Sequence, residues 1–526
     1  MRIVENHVLG GWKAPEGKTA DLHDPTTLAV VAKCGTAGID MRAVLDHARK
    51  VGGPALREMT FAQRGAMLDA ASKAIHALRE ELIDLAILNG GNTRKDAKFD
   101  VDGAIGTLSA YAHWAKSLGE KHVMLDGEGL QLGRTARFWG QHVLLPRTGA
   151  AVHVNAFNFP AWGLAEKAAC ALLAGMPCIE KPATATCLVT ERLVRGLTDA
   201  KCLPEGALQL LCGSAGDLLD HLGPQDVLAF TGSADTALKL RSRENLLRWS
   251  VRVNVEADSL NAAILGPDVR AGTDQETWNL FLRDVVTDMT QKTGQKCTAI
   301  RRILVPTEIA DTVQAELSQR LGATIVGNPA NDEVRMGPLA TASQRDDVRA
   351  GIERLAKEAA IVHGAVGEPA NLVGCEKGRG CFQQPVLLRA RDTAKTAVVH
   401  DHEVFGPVAT LLPYSGSAAE ASEIVGRGNG GLVASVFSDD RDFVRAMVLG
   451  IGPWHGRLYL GSGKMADQAL GPGAVLPGSV HGGPGRAGGG EELGGLRGLE
   501  FYTQRVALQG FKGLVEAKFV AETTTV

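Results

Sequence analysis

Residues 151–197 read AVHVNAFNFPAWGLAEKAACALLAGMPCIEKPATATCLVTERLVRGL. A short apolar run at 151–154 gives way to a turn rich in Asn and Pro, then to a helix-like segment at 162–173. A second apolar run at 176–179 is followed by a second turn and a second helix-like segment at 187–199. Further downstream, apolar runs at 208–212 and 227–230 flank and precede another such segment at 234–244. Strand-length apolar runs alternating with helical periodicity predict βαβ units around a parallel sheet. In such sheets ligands bind beyond the carboxyl ends of the strands, so the residues following each run are the ones to examine.

Upstream, residues 60–86 predict one amphipathic helix. Thr60 and Gln63 form a capping box, Met67, Leu68, Ala71, Ile75, Leu78, Leu82 and Leu85 recur every three or four positions, and Gly90 and Gly91 end it. Residues 128–147 have the length and turn residues of a strand pair. From about residue 259 a second helix-and-strand region follows, with Val348, Ile352 and Leu355 on one helical face. HGGPGRAGGGEELGGLRG at 481–498 holds nine glycines in a compact loop, and the tail from 500 to 526 reads as polar and β-rich.

Bulk properties narrow the function classes. The 526 residues allow roughly two to four domains. Lys and Arg number 56 against 59 Asp and Glu, a net charge of −3. No whole-protein field therefore favours nucleic acid or an anionic membrane, and neither is expected as a partner. Glycine supplies 63 of 526 residues, 12%, against a usual share of about 7%. Nine cysteines, an odd number, lack any CxxC pair or zinc-finger spacing, so no metal site is expected and the thiols read as reduced, in a cytoplasmic enzyme. The first residues lack a basic and then apolar leader, and no stretch reaches the roughly 18 apolar residues of a helical span.

Several segments carry candidate chemistry. NAFNFPAWG at 155–163 places Asn158 between a strand and a helix, where an amide can face a cleft; taken alone it is equally a turn asparagine. IEKPATAT at 179–186 puts Lys181 at a strand's carboxyl end, suited to a phosphate or ribose or simply solvated. FTGSADTA at 230–237 sets Ser233 at a helix start. Alternation in RVNVEADSL at 252–260 puts Val251, Val253 and Val255 on one face and Arg252, Asn254 and Glu256 on the other; Glu256 is a candidate general base or a salt-bridged carboxylate. Cys297, in TGQKCTAIRR at 293–302, lies in a polar stretch where N–H groups or a cation such as Lys296 favour a thiolate; the other eight cysteines read as inert. HEVFGPV at 402–408 offers Glu403 and Phe405 beside a Gly-Pro turn. None of the 14 histidines lies in a recognisable Cys/His arrangement.

In this order, NFP, KP, FTGS, Glu, GQxC, ExFGP and a Gly-rich end, the segments resemble the aldehyde dehydrogenase superfamily over nearly the whole chain. The resemblance implies an α/β fold with a Rossmann-type dinucleotide-binding domain (1–127 and 148–258), an α/β catalytic domain (259–485) and a β oligomerisation arm (128–147 and 486–526) that builds a homodimer or a dimer of dimers. It implies Cys297 as nucleophile, Glu256 as base and Asn158 as oxyanion amide, with Phe157, Lys181, Ser233, Glu403 and Phe405 contacting the cofactor. NAD-preferring members often carry a glutamate three residues after the KP lysine, whose charge repels a 2′-phosphate; here that position is Thr184, so NADP is expected, with NAD a weaker substitute. The chain departs from the common pattern in having NVEADSL in place of ELGGK, and Ala237 in place of a glycine. Its C-terminal part resembles the dehydrogenase portion of bacterial enzymes of CoA-linked aromatic degradation, in the phenylacetate and benzoate (box) pathways. That resemblance implies oxidation of a CoA-linked semialdehyde, 3,4-dehydroadipyl-CoA semialdehyde, to its acid. Glu492 or the adjacent Glu491 then matches a second family glutamate. Two alternatives stay open: a general aldehyde dehydrogenase acting on free substrates, and a cofactor-independent cysteine thioester hydrolase.

Overall fold

The computed structural model describes residues 1–516 and 524–525. The βαβ reading of 151–257 corresponds to five parallel strands, in the spatial order Arg252–Glu256, Val227–Thr231, Ala151–Val154, Cys178–Lys181, Leu208–Leu210. Two antiparallel strands from the start of the chain, Asn6–Val8 and Gly11–Lys13, complete this seven-stranded sheet. The chain enters at Ala151–Val154, lays the next two strands on one side and the last two on the other. The order thus reverses between Ala151–Val154 and Val227–Thr231, and a crevice opens beyond their carboxyl ends.

The helix Trp162–Ala174 behind the first crossover is buried along its whole length. Ala and Leu fill most of it, as expected of a helix covered on all sides, yet it carries Glu166 and Lys167. Buried charges demand partners, and theirs lie in the cleft described below.

A second seven-stranded sheet follows, in the order Ala359–His363, Val386–Ala390, Val408–Tyr414, Arg302–Pro306, Ala262–Leu265, Gly431–Phe437, His455–Gly461. All its pairs are parallel except the first. Between the two sheets' regions, the 128–147 strand pair is a longer hairpin, Met124–Gln131 with Phe138–Pro146. The late strand Thr503–Phe511 pairs along its whole length with Phe138–Pro146, from Thr503 opposite Pro146 to Phe511 opposite Phe138. The part of the expected arm at 517–523 and 526 lies outside the described residues.

Two expected helices divide. The capping box forms, with the Gln63 amide N–H donating to Thr60 Oγ1 and Gln63 Oε1 accepting from the Thr60 N–H. The 60–86 span, however, is two helices, Phe61–Ala77 and Arg79–Gly90, separated at Leu78 (φ −101°, ψ 7°). The apolar spacing runs through because Leu82 continues in the same core as Ile75, while Glu80 and Glu81 favour a new helix start. The 234–244 segment likewise splits into Ala234–Arg241 and Glu244–Arg248. The Gly-rich stretch at 481–498 is not wholly loop: Val480–Gly482 and Glu491–Leu493 pair antiparallel, with His481 opposite Glu492. Among the described residues no helix is long and apolar enough to cross a membrane.

Arg302 is a structural keystone of the second sheet. Its fully buried guanidinium donates to the carbonyls of Leu260 (2.7 and 3.0 Å), Ile424 (3.2 Å) and Val425 (3.1 Å), and among the described residues no carboxylate pairs with it. Removing it strands several buried acceptors at about 1–3 kcal/mol each. Arg302→Ala is therefore expected to lose at least about 3 kcal/mol, measured as a lower urea midpoint; a midpoint equal to the parent's would contradict this role.

Candidate active site

Cys297 follows a turn that only an unusual backbone can make. Lys292, Thr293 and Gly294 have φ values of 52°, 56° and 67°, three consecutive left-handed residues. A Cβ on Gly294 would sit 2.2 Å from the Gly406 carbonyl oxygen, so glycine is required there. Two side chains hold the strained loop. Asn261 Nδ2 donates to the carbonyls of Cys297 (2.7 Å) and Ala299 (2.9 Å). The Arg301 guanidinium donates to the carbonyls of Gly294 (3.0 Å), Lys296 (3.2 Å) and Gly406 (2.8 Å), and to Glu403 Oε1 (3.3 Å). Lys296 does not serve the thiol as the sequence suggested. Its amine points away to Asp288 Oδ1 (2.6 Å) and Gln291 Oε1 (2.9 Å), where burial of Asp288 demands a cation.

Two cavities meet at Cys297, with Asn158, Thr231 and Glu256 lining both. The first is narrow and walled by Phe99, Phe159, Trp162 and Val475. Phe99 stands edge-on to Phe159 and to Trp162, with ring centres 6.0 and 5.3 Å apart. The second, about 620 Å³, lies at the crevice of the first sheet and is lined by Phe157, Ser233, Asp258, Glu403 and Phe405. Asn158 Nδ2 donates to the Gln295 carbonyl (3.0 Å). This bond fixes the amide beside the Cys297 loop and leaves its second N–H available.

Glu256 ends the strand Arg252–Glu256 and is buried. Its Oε2 accepts from Thr231 Oγ1 (3.3 Å), and its Oε1 lies 3.1 Å from His481 Nε2. The same His481 Nε2 is 3.8 Å from Cys297 Sγ. Burial alone would raise the Glu256 carboxyl, but the charge and hydrogen bond of His481, with Lys167 behind, hold it below the usual carboxylate range. Burial alone would likewise lower His481, yet Glu256 raises it above its ordinary value. Burial and the Glu256 charge push the Cys297 thiol well up. Farther in, Lys167 Nζ lies 3.1 Å from both Glu166 Oε1 and Glu492 Oε2, and Asn254 Nδ2 donates to Glu492 Oε1 (3.0 Å). Glu492, not the exposed Glu491, therefore faces the site.

On the other side, Phe157 and Phe405 stand edge to face at 5.8 Å. Glu403 accepts from the Ser259 N–H (3.0 Å) and from Arg301, and burial, opposed by Arg301, raises it to about 7. Ser233 caps the helix Ala234–Arg241, accepting from the Thr236 N–H. The first N–H of that helix, at Ala234, donates to Asp258 Oδ1 (3.0 Å), so part of the expected anion cradle is filled by the residue that replaces the usual glycine. Lys181 ends its strand beside Cys34, Cys187 and Cys212, and burial lowers its amine. Thr184 opens the turn after it, Thr184–Thr186. A crevice of this size carrying an aromatic pair, a carboxylate acceptor and Ser233 at strand ends fits a dinucleotide, whereas of the KP turn only Ala183 reaches its lining, and Lys181 and Thr184 stand behind it.

Sequence reasoning missed His481, Lys167 and Glu166. The two charges inside an otherwise apolar helix were a readable signal for the last two. His481 gave none, because its partners lie 184 and 225 residues away; the expectation that no histidine joins a cysteine is overturned by the short hairpin that carries it in.

Comparison with known proteins places this geometry. The aldehyde dehydrogenase family model matches residues 12–507. The chain is 44% identical over 482 residues, 91% of its length and 93% of the relative's, to 3,4-dehydroadipyl-CoA semialdehyde dehydrogenase of Aromatoleum evansii. It is 27% identical over 80% of its length and 77% of the relative's to 4-trimethylaminobutyraldehyde dehydrogenase B of Danio rerio. Solved structures with the same fold include an NAD+ complex of betaine aldehyde dehydrogenase from Staphylococcus aureus (TM-score 0.83, 23% identity, 97% and 95% of the two chains). An NAD+ complex of an aldehyde dehydrogenase from Bacillus cereus is equally similar (TM-score 0.83, 22% identity, 97% of each chain). The chain with Cys297 at the meeting point of these two cavities belongs to the aldehyde dehydrogenase family.

Proposed function

We propose that this enzyme oxidises a CoA-linked semialdehyde, 3,4-dehydroadipyl-CoA semialdehyde, to the free acid with NADP. The convergence of Cys297, Asn158 and Glu256 at the junction of an aromatic-walled cavity and a dinucleotide-sized crevice carries the reading; the relative from Aromatoleum evansii, named for that semialdehyde, supports the substrate. The aldehyde enters the narrow cavity. Cys297 thiolate forms a C–S bond to the carbonyl carbon, and the oxygen takes up the displaced electron pair. The free Asn158 N–H and the Cys297 backbone N–H stabilise that oxyanion. As the oxyanion re-forms the C=O bond, the C–H bond of the former aldehyde carbon breaks and its hydride leaves, giving the Cys297 thioester; NADP, when bound, would supply the acceptor for that hydride. Phe157, Phe405, Glu403, Ser233, Lys181 and Thr184 would hold it, with Lys181 and the neutral Thr184 accepting a 2′-phosphate. Glu256 then takes a proton from water as its oxygen adds to the thioester carbon, the C–S bond breaks, and Cys297 is restored.

The bland sides of the same reading are the compartment and the assembly. Nine free cysteines suit a reducing cytoplasm. The domain division given by the sequence assigns the first sheet to NADP and the second to catalysis. The four-stranded sheet of Met124–Gln131, Phe138–Pro146, Thr503–Phe511 and Thr524–Thr525, with exposed Phe138 and Phe511, is the arm by which a homodimer, or a dimer of dimers, forms.

Three outcomes test the reading. Cys297→Ala should abolish oxidation, and Asn158→Ala should lower kcat about 10²–10³-fold. Both are followed by NADPH absorbance with matched CoA-linked and free semialdehydes; equal turnover of the two would remove CoA from the substrate. Thr184→Glu should reverse the NADP preference by at least about tenfold, since like charges brought together cost several kcal/mol, measured as kcat/KM with each cofactor. Finally, Glu403 accepts from a ribose hydroxyl more strongly when ionised, and burial raises it to about 7. Cofactor affinity should therefore fall as pH drops through 7 and level off above about 8, while Glu403→Gln loses this component of the pH dependence in a fluorescence titration.

A further inference from the structure

The mechanism above leaves open where the Cys297 thiol proton goes. Burial holds that thiol un-ionised, Lys296 is committed to Asp288, and Glu256 sits next to a second buried base. His481 Nε2 is the only atom of that base facing either group, and it faces both, 3.1 Å from Glu256 Oε1 and 3.8 Å from Cys297 Sγ. In the familiar nucleophile–histidine–carboxylate arrangement the carboxylate meets the far ring nitrogen. Here thiol and carboxylate converge on the same nitrogen.

We propose that His481 is a further catalytic residue, whose Nε2 receives the Cys297 thiol proton and shares it with Glu256. The inference rests on the reading of Cys297 as nucleophile. In the first half-reaction the S–H bond breaks, its proton goes to Nε2, and the sulfur pair forms the bond to the aldehyde carbon. That proton then leaves to solvent, as the net reaction releases one. In the second half-reaction a water O–H bond breaks. Its oxygen goes to the acyl carbon, its proton goes to the His481–Glu256 pair, and the pair returns this proton to the departing sulfur. One exchangeable proton between two groups belongs to the pair rather than to either.

The charged groups around the ring favour this role. His481 lies on Val480–Gly482, with Glu492 directly opposite on Glu491–Leu493, Glu256 from the first sheet, and Glu166 and Lys167 on the buried helix. The carboxylates outnumber the one lysine and favour the imidazolium, so the imidazole becomes a free acceptor only above the ordinary histidine range.

The test is the rate of Cys297 alkylation by iodoacetamide in the full-length enzyme between pH 5 and 10, read by mass spectrometry of the Cys297 peptide. In the parent, the rate should rise and then level off above the ordinary histidine range, once the imidazole is neutral. His481→Asn and His481→Gln should react at least tenfold more slowly at pH 7.5. Their rates should climb about tenfold per pH unit without a plateau and approach the parent's at pH 10, where solvent hydroxide removes the proton. A merely structural role would depress the rate at pH 10 as well, and that result, like parental profiles in both variants, overturns the proposal. Glu256→Gln separates the two bases. With histidine as acceptor the plateau persists and its onset moves to lower pH, because the carboxylate that favours the imidazolium is gone; loss of the plateau, or an onset that does not move, overturns the proposal, and this arm decides the matter if neither His481 variant folds. Should Cys297→Ala still turn over aldehyde, the nucleophile assignment itself fails; should it be inactive while the His481 variants alkylate normally, only the present inference does.

Discussion

The site depends on one buried cation, the guanidinium of Arg301. It reaches the carbonyls of Gly294, the last residue of the left-handed turn, and Lys296, between that turn and Cys297, together with the carbonyl of Gly406 and the carboxylate of Glu403. The loop with the thiol and the segment lining the dinucleotide crevice are thereby referred to a single planar group with fixed donor directions. A lysine could not span these acceptors with one point charge. Asn261 repeats the principle on the other flank: its amide nitrogen holds the carbonyls of Cys297 and Ala299, and its oxygen accepts from Ser259 and Val433. The strain of three consecutive positive φ angles persists because the surroundings over-determine it.

Most of the fold could be read before the structure. The apolar runs of 151–257 are strands because a sheet covered on both faces needs no polar alternation, and the loops after them, rich in Asn, Pro and Gly, are where a parallel sheet exposes its ligand edge. Asn158, Ser233 and Glu256, which line the cleft, were legible because each sits at or just past the carboxyl end of a strand. Cys297 was legible for a different reason, as a thiol in a polar, glycine-containing stretch between a helix and a strand.

What could not be read is long-range. His481 reaches the thiol only because a three-residue strand within a glycine-rich stretch folds back against Glu491–Leu493, and nothing in VHGG announces that pairing. The direction of Lys296 was also misjudged. A cation one residue from a thiol in sequence is not thereby beside it in space, and the buried Asp288 claims it. The break at Leu78 escaped because periodicity reports which face is buried, not whether the backbone hydrogen-bond ladder is continuous.

The pairing of Thr503–Phe511 with Phe138–Pro146 has a consequence for biosynthesis. The residues that meet at the thiol span positions 158 to 481, and the strand that closes the 124–146 hairpin is made later still. At about 5–20 residues per second, roughly 16–65 s separate the emergence of Asn158 from that of His481. Throughout that interval the nascent chain carries an unfilled sheet edge and a buried-to-be Lys167 without its Glu492 counter-charge. The cleft around Cys297 is thus incomplete on the ribosome-bound chain until the Val480–Gly482 and Glu491–Leu493 pair has docked.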